Sequence, residues 1–295
     1  MKTQNPSYQL VDLPSGRRVM TNANKLYWQK HCLYGLLEVD VTLARQSIAQ
    51  HKAQTGEQLS FTGYLAYCLA RAVDVDKTVQ AYKKGNRQLA VFEDVDVMLM
   101  VEHKDGEKRT LMGHIIQGAN HKTYREIHDE IRRVQAEPLP PTRGLPTWLH
   151  TALLLPWPLS RLFRALFDMT IRNDPGMLIS MAGTVGISSV GMFGKGSGAN
   201  GTAALSGWGI APFEHVLDLL VGSVAWKPAV VEGRVEPRQM LDLTVILDHD
   251  MIDGAPAARF TRRLTELIQS ASGLGEDPPP MAAGAATTDQ AEVLR

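Results

Sequence analysis

Cysteine is scarce: the 295 residues hold Cys32 and Cys68 and no others, too few for a disulfide framework and too far apart for a close-spaced zinc motif. A reducing compartment, the cytoplasm, is the expected setting. Net charge is also missing, since 31 Lys and Arg balance 31 Asp and Glu. No overall field draws the chain onto nucleic acid, and membrane contact is not expected either. Long apolar runs are absent too. The most apolar stretch, Leu145 to Phe167, is broken by Pro146, Pro156 and Pro158 and carries Arg161 and Arg164, so it cannot form a spanning helix of ~20 residues. The N-terminus, MKTQNPSYQLVDLPSGRR, lacks the apolar centre of a secretory signal. What is present, 44% hydrophobic and 21% charged residues, suits a soluble domain with a substantial core.

Hydropathy patterning predicts a mixed order of strands and helices. His31 to Val41 alternates as a strand, with Leu33, Gly35, Leu37 and Val39 on one face, and Asp40 or Thr42 is placed to cap a helix running to Lys52. Leu59 to Val75 reads as a buried helix, Leu89 to Glu102 and Arg109 to Gln117 as strands, and Tyr124 to Gln135 as an amphipathic helix. After the break PLPPTRG and the apolar insertion 145–169, Met177 to Val190 reads as a strand. Val216 to Val224 and Met240 to His249 follow as strands, with a turn at Glu232-Gly233, and Gly254 to Ile268 closes the fold as a helix. Three segments result: an irregular lead-in over 1–20, one domain over 21–270, and a tail over 271–295 too poor in large apolar residues to order.

The chemistry concentrates in LDLTVILDHDMIDG. A strand with Leu241, Leu243, Val245 and Leu247 on one face would set His249 on that face at its end, shielded from water, with Asp253 four residues on to orient the imidazole. An isolated histidine at a strand end is more often a satisfied core residue than a catalyst. A metal site of His249 with Asp248, Asp250 and Asp253 is disfavoured, because adjacent carboxylates on alternating faces do not converge on one ion. Gly194, Gly196, Gly198 and Gly201 do not make a phosphate loop, since Lys195 is followed by glycine. Asn200-Gly201-Thr202 fits a glycosylation sequon that an intracellular chain would not use.

DHDMIDGAPAARFTRRLTELI resembles the closing motif of dihydrolipoamide acyltransferase catalytic domains, an Asp-His-Arg-x-x-Asp-Gly segment followed by a helix with an Ala-Ala-Arg-Phe run. His249, Asp253, Gly254, Ala257, Ala258, Arg259 and Phe260 match it. ISSVGMFG resembles the family's strand end bearing the serine, and LEVDVTLARQSIAQHK, LSFTGYLAYCLARAV and FEDVDVMLMVEHKDG follow in the family's order, so that residues 15 to 270 are covered.

The resemblance implies an α/β two-layer sandwich with a mixed sheet, like that of chloramphenicol acetyltransferase, in a homotrimer with active sites between subunits. It implies that His249 is the general base and that Ser188 of a neighbouring subunit, or Ser189 beside it, donates to the tetrahedral oxyanion. It also implies a coenzyme A or carrier-protein thioester as acyl donor to a thiol, hydroxyl or amine. No metal and no covalently bound lipoyl group are expected, because the nearest thing to a lipoyl lysine, Asp76-Lys77, reads as a helix end. Asp250 stands where the family has Arg, a carboxylate that would favour imidazolium unless it points away. The loop GKGSGANGTAALSGWG is longer than usual, and 145–169 is an insertion that packs in the core or an interface, lines an acyl tunnel, or lies on a membrane, in falling order. A non-catalytic trimeric scaffold is the alternative. The tail GEDPPPMAAGAATTDQAEVLR offers little apolar surface to dock trimers into larger cores, so assembly is expected to stop at three chains.

Overall fold

A single six-stranded mixed sheet organises the molecule, seen in a computed structural model that describes residues 30–105, 108–137, 159–189, 206–211 and 213–274, together with 11–12, 17, 21, 24 and 155. Along the chain run β1 (Cys32–Asp40), α1 (Thr42–Thr55), α2 (Phe61–Val75), β2 (Tyr82–Lys84), β3 (Gln88–Ala90), β4 (Val97–Asp105) and β5 (Lys108–Ile116). Then come α3 (Tyr124–Ala136), α4 (Leu159–Asn173), α5 (Pro175–Ala182), β6 (Val185–Ser189), β7 (Leu217–Val231), β8 (Arg234–Asp248) and α6 (Gly254–Gln269). The strand order is β1-β8-β7-β6-β4-β5, with β6 parallel to both neighbours and the other pairs antiparallel.

Each helix forms for a local reason. Ser60 caps α2 by accepting from the Gly63 N–H, and Thr123 with Glu126 closes a capping box on α3. The α1 cap is Val41, without a side-chain bond, while Asp40 serves one residue earlier by accepting the Thr42 N–H at 2.9 Å. Helices α1, α2, α3 and α6 pack their apolar sides on one face of the sheet, where Leu241, Leu243, Val245 and Leu247 of β8 meet Phe260, Leu264 and Ile268 of α6. Burying a side chain of this size stabilises by ~1.5–3 kcal/mol.

Several expected elements change. Met177 to Val190 is not one strand: Asp174 and Pro175 start α5, with Asp174 accepting the Gly176 N–H, and Gly183 at φ 77° ends it before β6. A side chain at Gly183 would also put Cβ 2.7 Å from the Asp96 carbonyl. Leu89 to Glu102 breaks into β3 and β4, because Gln80 binds the Phe92 and Asp94 carbonyls and takes that stretch out of the ladder. The strands β7 and β8 run longer than expected, to the turn at Glu232 (φ 48°) and Gly233 (φ 79°). Within the insertion, α4 turns Leu159, Leu162, Leu166 and Met169 outward at helical spacing. The tail from 275, the loop 190–205 and the first part of the insertion lie outside the described residues. No helix among the described residues is long and apolar enough to cross a membrane.

Candidate active site

Strand β8 delivers His249 to one end of the sheet, yet the side chain is exposed in the single chain. The expected shielding fails because the strand stops at Asp248. The Asp248 carbonyl accepts the Met251 and Ile252 N–H groups, so the backbone turns and His249 leaves the apolar row. Asp248 is buried and shapes that turn: its N–H donates to the Val216 carbonyl, and its Oδ1 accepts the Asp250 N–H at 3.1 Å. Lys30 braces the same place, donating to the Glu214 and His215 carbonyls at 2.5 and 2.8 Å with its Nζ 4.0 Å from Asp248 Oδ2. The His249 N–H donates to the His31 carbonyl at 2.8 Å.

Asp253 is the N-cap of α6 by position, exposed, with no side-chain bond to the helix. Among the described residues it makes no hydrogen bond to His249. Asp250 points away from His249: its two carboxylate oxygens sit 3.0 and 3.1 Å from His31 Nδ1. That pair answers the sequence departure from arginine with an exposed contact worth ~0–1 kcal/mol.

Ser188 lies elsewhere. In β6 it aligns with Leu220 of β7, and Leu220 aligns with Thr244 of β8, four residues before the strand ends at Asp248. With ~4.8 Å between strands and ~3.4 Å per residue, the Ser188 and His249 backbones stand roughly 15–20 Å apart. A hydrogen bond needs ~3 Å. Val185 and Ile187 face the helices, so the alternation puts Ser188 on the opposite face of the sheet. One chain therefore does not bring Ser188 to His249. Ser189, exposed at the end of β6, is separated from His249 in the same way.

Two buried polar clusters on that face escaped the sequence. The side chain of Asp242, fully buried, accepts from Ser206 Oγ at 2.8 Å, the Gly207 N–H at 2.8 Å, Ser223 Oγ at 2.7 Å and Lys227 Nζ at 2.7 Å. Burial pushes its carboxyl up, but these donors together hold it below the usual carboxylate range. Lys227 also reaches Glu38 Oε1 at 2.7 Å and lies over the Trp208 ring, whose Nε1 donates to the Leu37 carbonyl. The cluster thus straps 206–210 across the sheet at the bulge between Val221 and Val224. A Cβ on Gly222 would come 2.5 Å from the Gly207 carbonyl oxygen, so glycine is what lets the strap approach.

The second cluster pairs His215 with Asp218 at the start of β7. Asp218 belongs to alternating strand sequence, where an aspartate reads as a solvated position, and His215 lies two residues ahead of the strand. The spacing of three between them was the one available signal.

No metal is expected, and the ligand-like group Glu57, His128 and Asp129 does not fit one. His128 Nδ1 accepts the Ser60 N–H, which leaves the proton on Nε2 facing Glu57, and Arg125 holds both Glu57 oxygens at 2.7 and 3.1 Å. Hydrogen bonds from Arg125 and His51 hold the Glu57 carboxyl at about 2.

The sheet thus carries a histidine turn at the end of β8 and a serine on β6, two strands away. Its fold is similar to that of dihydrolipoamide acetyltransferase structures. Residues 180–275 match the family model of the 2-oxoacid dehydrogenases acyltransferase catalytic domain. The crystal structure of the Azotobacter vinelandii dihydrolipoamide acetyltransferase superposes with a TM-score of 0.62 at 20% identity, over 93% of this chain and 99% of that one. A probable dihydrolipoyllysine-residue succinyltransferase component of the Schizosaccharomyces pombe 2-oxoglutarate dehydrogenase complex is 33% identical over 100 residues, 34% of this chain and 19% of its own length. The Bacillus subtilis lipoamide acyltransferase component of the branched-chain alpha-keto acid dehydrogenase complex is 22% identical over 240 residues, 80% of this chain. The chain spans 46% of the length of that last relative. The similarity to dihydrolipoamide acyltransferase catalytic domains that the motifs carried is thus shown.

Proposed function

We propose that this chain is an acyltransferase that moves an acyl group from a coenzyme A or carrier-protein thioester to a thiol, hydroxyl or amine, within a homotrimer whose sites form between copies. The observation that carries the reading is the His249 turn, an exposed imidazole held on a braced backbone at the end of β8. In the Azotobacter protein a serine, a histidine and an asparagine were investigated for their role in catalysis, with the histidine and asparagine four residues apart. His249 and Asp253 stand at the same spacing.

In this reading His249 takes the proton of the acceptor nucleophile as its lone pair attacks the thioester carbonyl. The carbonyl π electrons move to oxygen, and Ser188 Oγ–H of another copy donates to the resulting oxyanion, a contact worth ~2.7–4 kcal/mol. The oxyanion collapses, the carbon–sulfur bond breaks, and the leaving thiolate takes the proton back from the imidazolium. Asp248 and Lys30 hold the turn, Asp253 stands exposed four residues on at the start of α6, and Asp250, committed to His31, stays out of the proton transfer. Whether the acceptor is a thiol, hydroxyl or amine is open to direct assay. Incubation with a panel of acyl-CoAs and acceptors, read by release of free coenzyme A thiol, tests the reading; no release with any pair sinks it.

A further inference from the structure

Helix α4 presents an apolar row to solvent. Leu159, Leu162, Leu166 and Met169 are each 50–60% exposed, Leu155 is exposed one turn earlier, and Phe163 is half-buried. Spacings of three and four put the four exposed side chains on one side of the helix, in a row about 15 Å long. A continuous apolar surface of this kind marks a contact with something other than water.

Beside the row stands a basic hairpin. Helices α4 and α5 both pack against β2. Tyr82, buried at the start of β2, donates its hydroxyl to the Thr184 carbonyl at 3.0 Å, two residues past the end of α5. That anchor fixes the β2–β3 turn near the helix. The hairpin tip holds Lys83, Lys84 and Arg87, all exposed, with Gly85 at φ 59° in the turn and no acid from Tyr82 to Phe92. Among the described residues none of these three cations forms an ion pair. The sequence of α4 adds Arg161, Arg164 and Arg172 against a single acid, Asp168. The even charge of the whole chain thus conceals a local positive excess next to the apolar row.

Aliphatic and thioether side chains beside unpaired cations match one kind of partner. At an anionic bilayer the apolar row enters the boundary between headgroups and acyl chains, while lysine and arginine meet the lipid phosphates. A protein partner fits less well, because the row holds no tryptophan or tyrosine to anchor a specific interface. With 15 residues α4 is too short to span a bilayer and suits a position along its surface.

We propose that α4 and the β2–β3 hairpin together form a docking surface for an anionic phospholipid membrane, with α4 lying in the plane of the interface. Neither element contributes a residue to the His249 turn, so the docking stands whether or not the chain transfers acyl groups.

The test floats the full chain with vesicles of phosphatidylglycerol and phosphatidylcholine, and with vesicles of phosphatidylcholine alone. The wild type is expected to float with the anionic vesicles only and to be released by high salt. Lys83→Glu with Lys84→Glu is expected to weaken binding on the order of tenfold or more, and Leu162→Ser with Leu166→Ser to abolish it, each with circular dichroism unchanged. No flotation of the wild type, equal flotation with both lipids, or flotation that survives the leucine changes overturns the proposal. So does a fall in the mass of the assembly caused by the leucine changes without vesicles, which would assign the row to a contact between copies. Should the leucine variant not fold, hydrogen exchange along α4 of the wild type decides: slowing by anionic vesicles upholds the docking, and unchanged exchange overturns it.

Discussion

His215 and Asp218 form a buried ion pair in which both imidazole nitrogens are committed: Nδ1 lies 2.6 Å from Asp218 Oδ1 and Nε2 lies 2.7 Å from the Ala182 carbonyl oxygen. With the Asp218 carboxyl ionised, a neutral ring would turn a lone pair on one of these acceptors, so the ring pairs with it as imidazolium. Burial opposes both charges and raises the Asp218 carboxyl, yet the contact with Asp218 prevails at the ring and raises His215 to about 9. The pair ties the start of β7 to the end of α5, and the backbone between its two members accepts the Lys30 ammonium and the Asp248 N–H beneath the His249 turn.

The pH dependence follows from that raised value. The unfolded histidine titrates near ~6.5, so the pair's contribution is full below that pH and is lost as pH rises through about 9. Thermal unfolding followed from neutral to alkaline pH should show this loss in the wild type and not in His215→Gln. His215→Ala should cost ~3–5 kcal/mol by leaving Asp218 buried and unpaired. Equal alkaline slopes in both proteins would refute the assignment.

Asp242 carries the opposite sign. Its carboxyl is held low, so its contribution is present above the unfolded value near ~3.9 and is lost as pH falls through the lower folded value. Asp242→Ala strands buried donors and should cost ~2–4 kcal/mol, with hydrogen exchange at Gly207 and Trp208 accelerated ahead of the core. Gly222→Ala should release the same strap by collision with the Gly207 carbonyl, at ~1–3 kcal/mol. Unchanged exchange in both variants would show that the strap is held by other means.

His249→Ala and Ser188→Ala should each abolish or strongly reduce acyl transfer while leaving the assembly intact. Ser188→Ala should act on kcat with little change in KM, as a transition-state contact does. Because the two residues are far apart in one chain, mixed assemblies of the two inactive variants should recover activity. Failure of recovery in assemblies shown by mass to be mixed would place both groups in one subunit or neither in catalysis.

Asp250→Arg removes an exposed contact to His31 and reverses the charge beside His249. Stability should move by less than ~1 kcal/mol, and the pH profile of acyl transfer should keep its shape, since the carboxylate faces His31. A displaced profile would mean that Asp250 acts on His249 directly.

The alternation of Leu241, Leu243, Val245 and Leu247, the stripe of Ala257, Phe260 and Leu264, and the turn at Glu232-Gly233 were legible because strand, helix and hairpin periodicities are local. So was the spacing of His249 and Asp253. By itself the sequence determined the element types around His249 and nominated candidates for the chemistry. Tertiary structure decided the rest, because it depends on partners distant in the chain. Gln80 broke a promising strand in two, and Asp242 became a buried anchor only once Ser206, Ser223 and Lys227 met it. The strand order decided most: with β7 lying between β6 and β8, Ser188 and His249 of one chain stay separated, and no local pattern of side chains encodes which strands become neighbours.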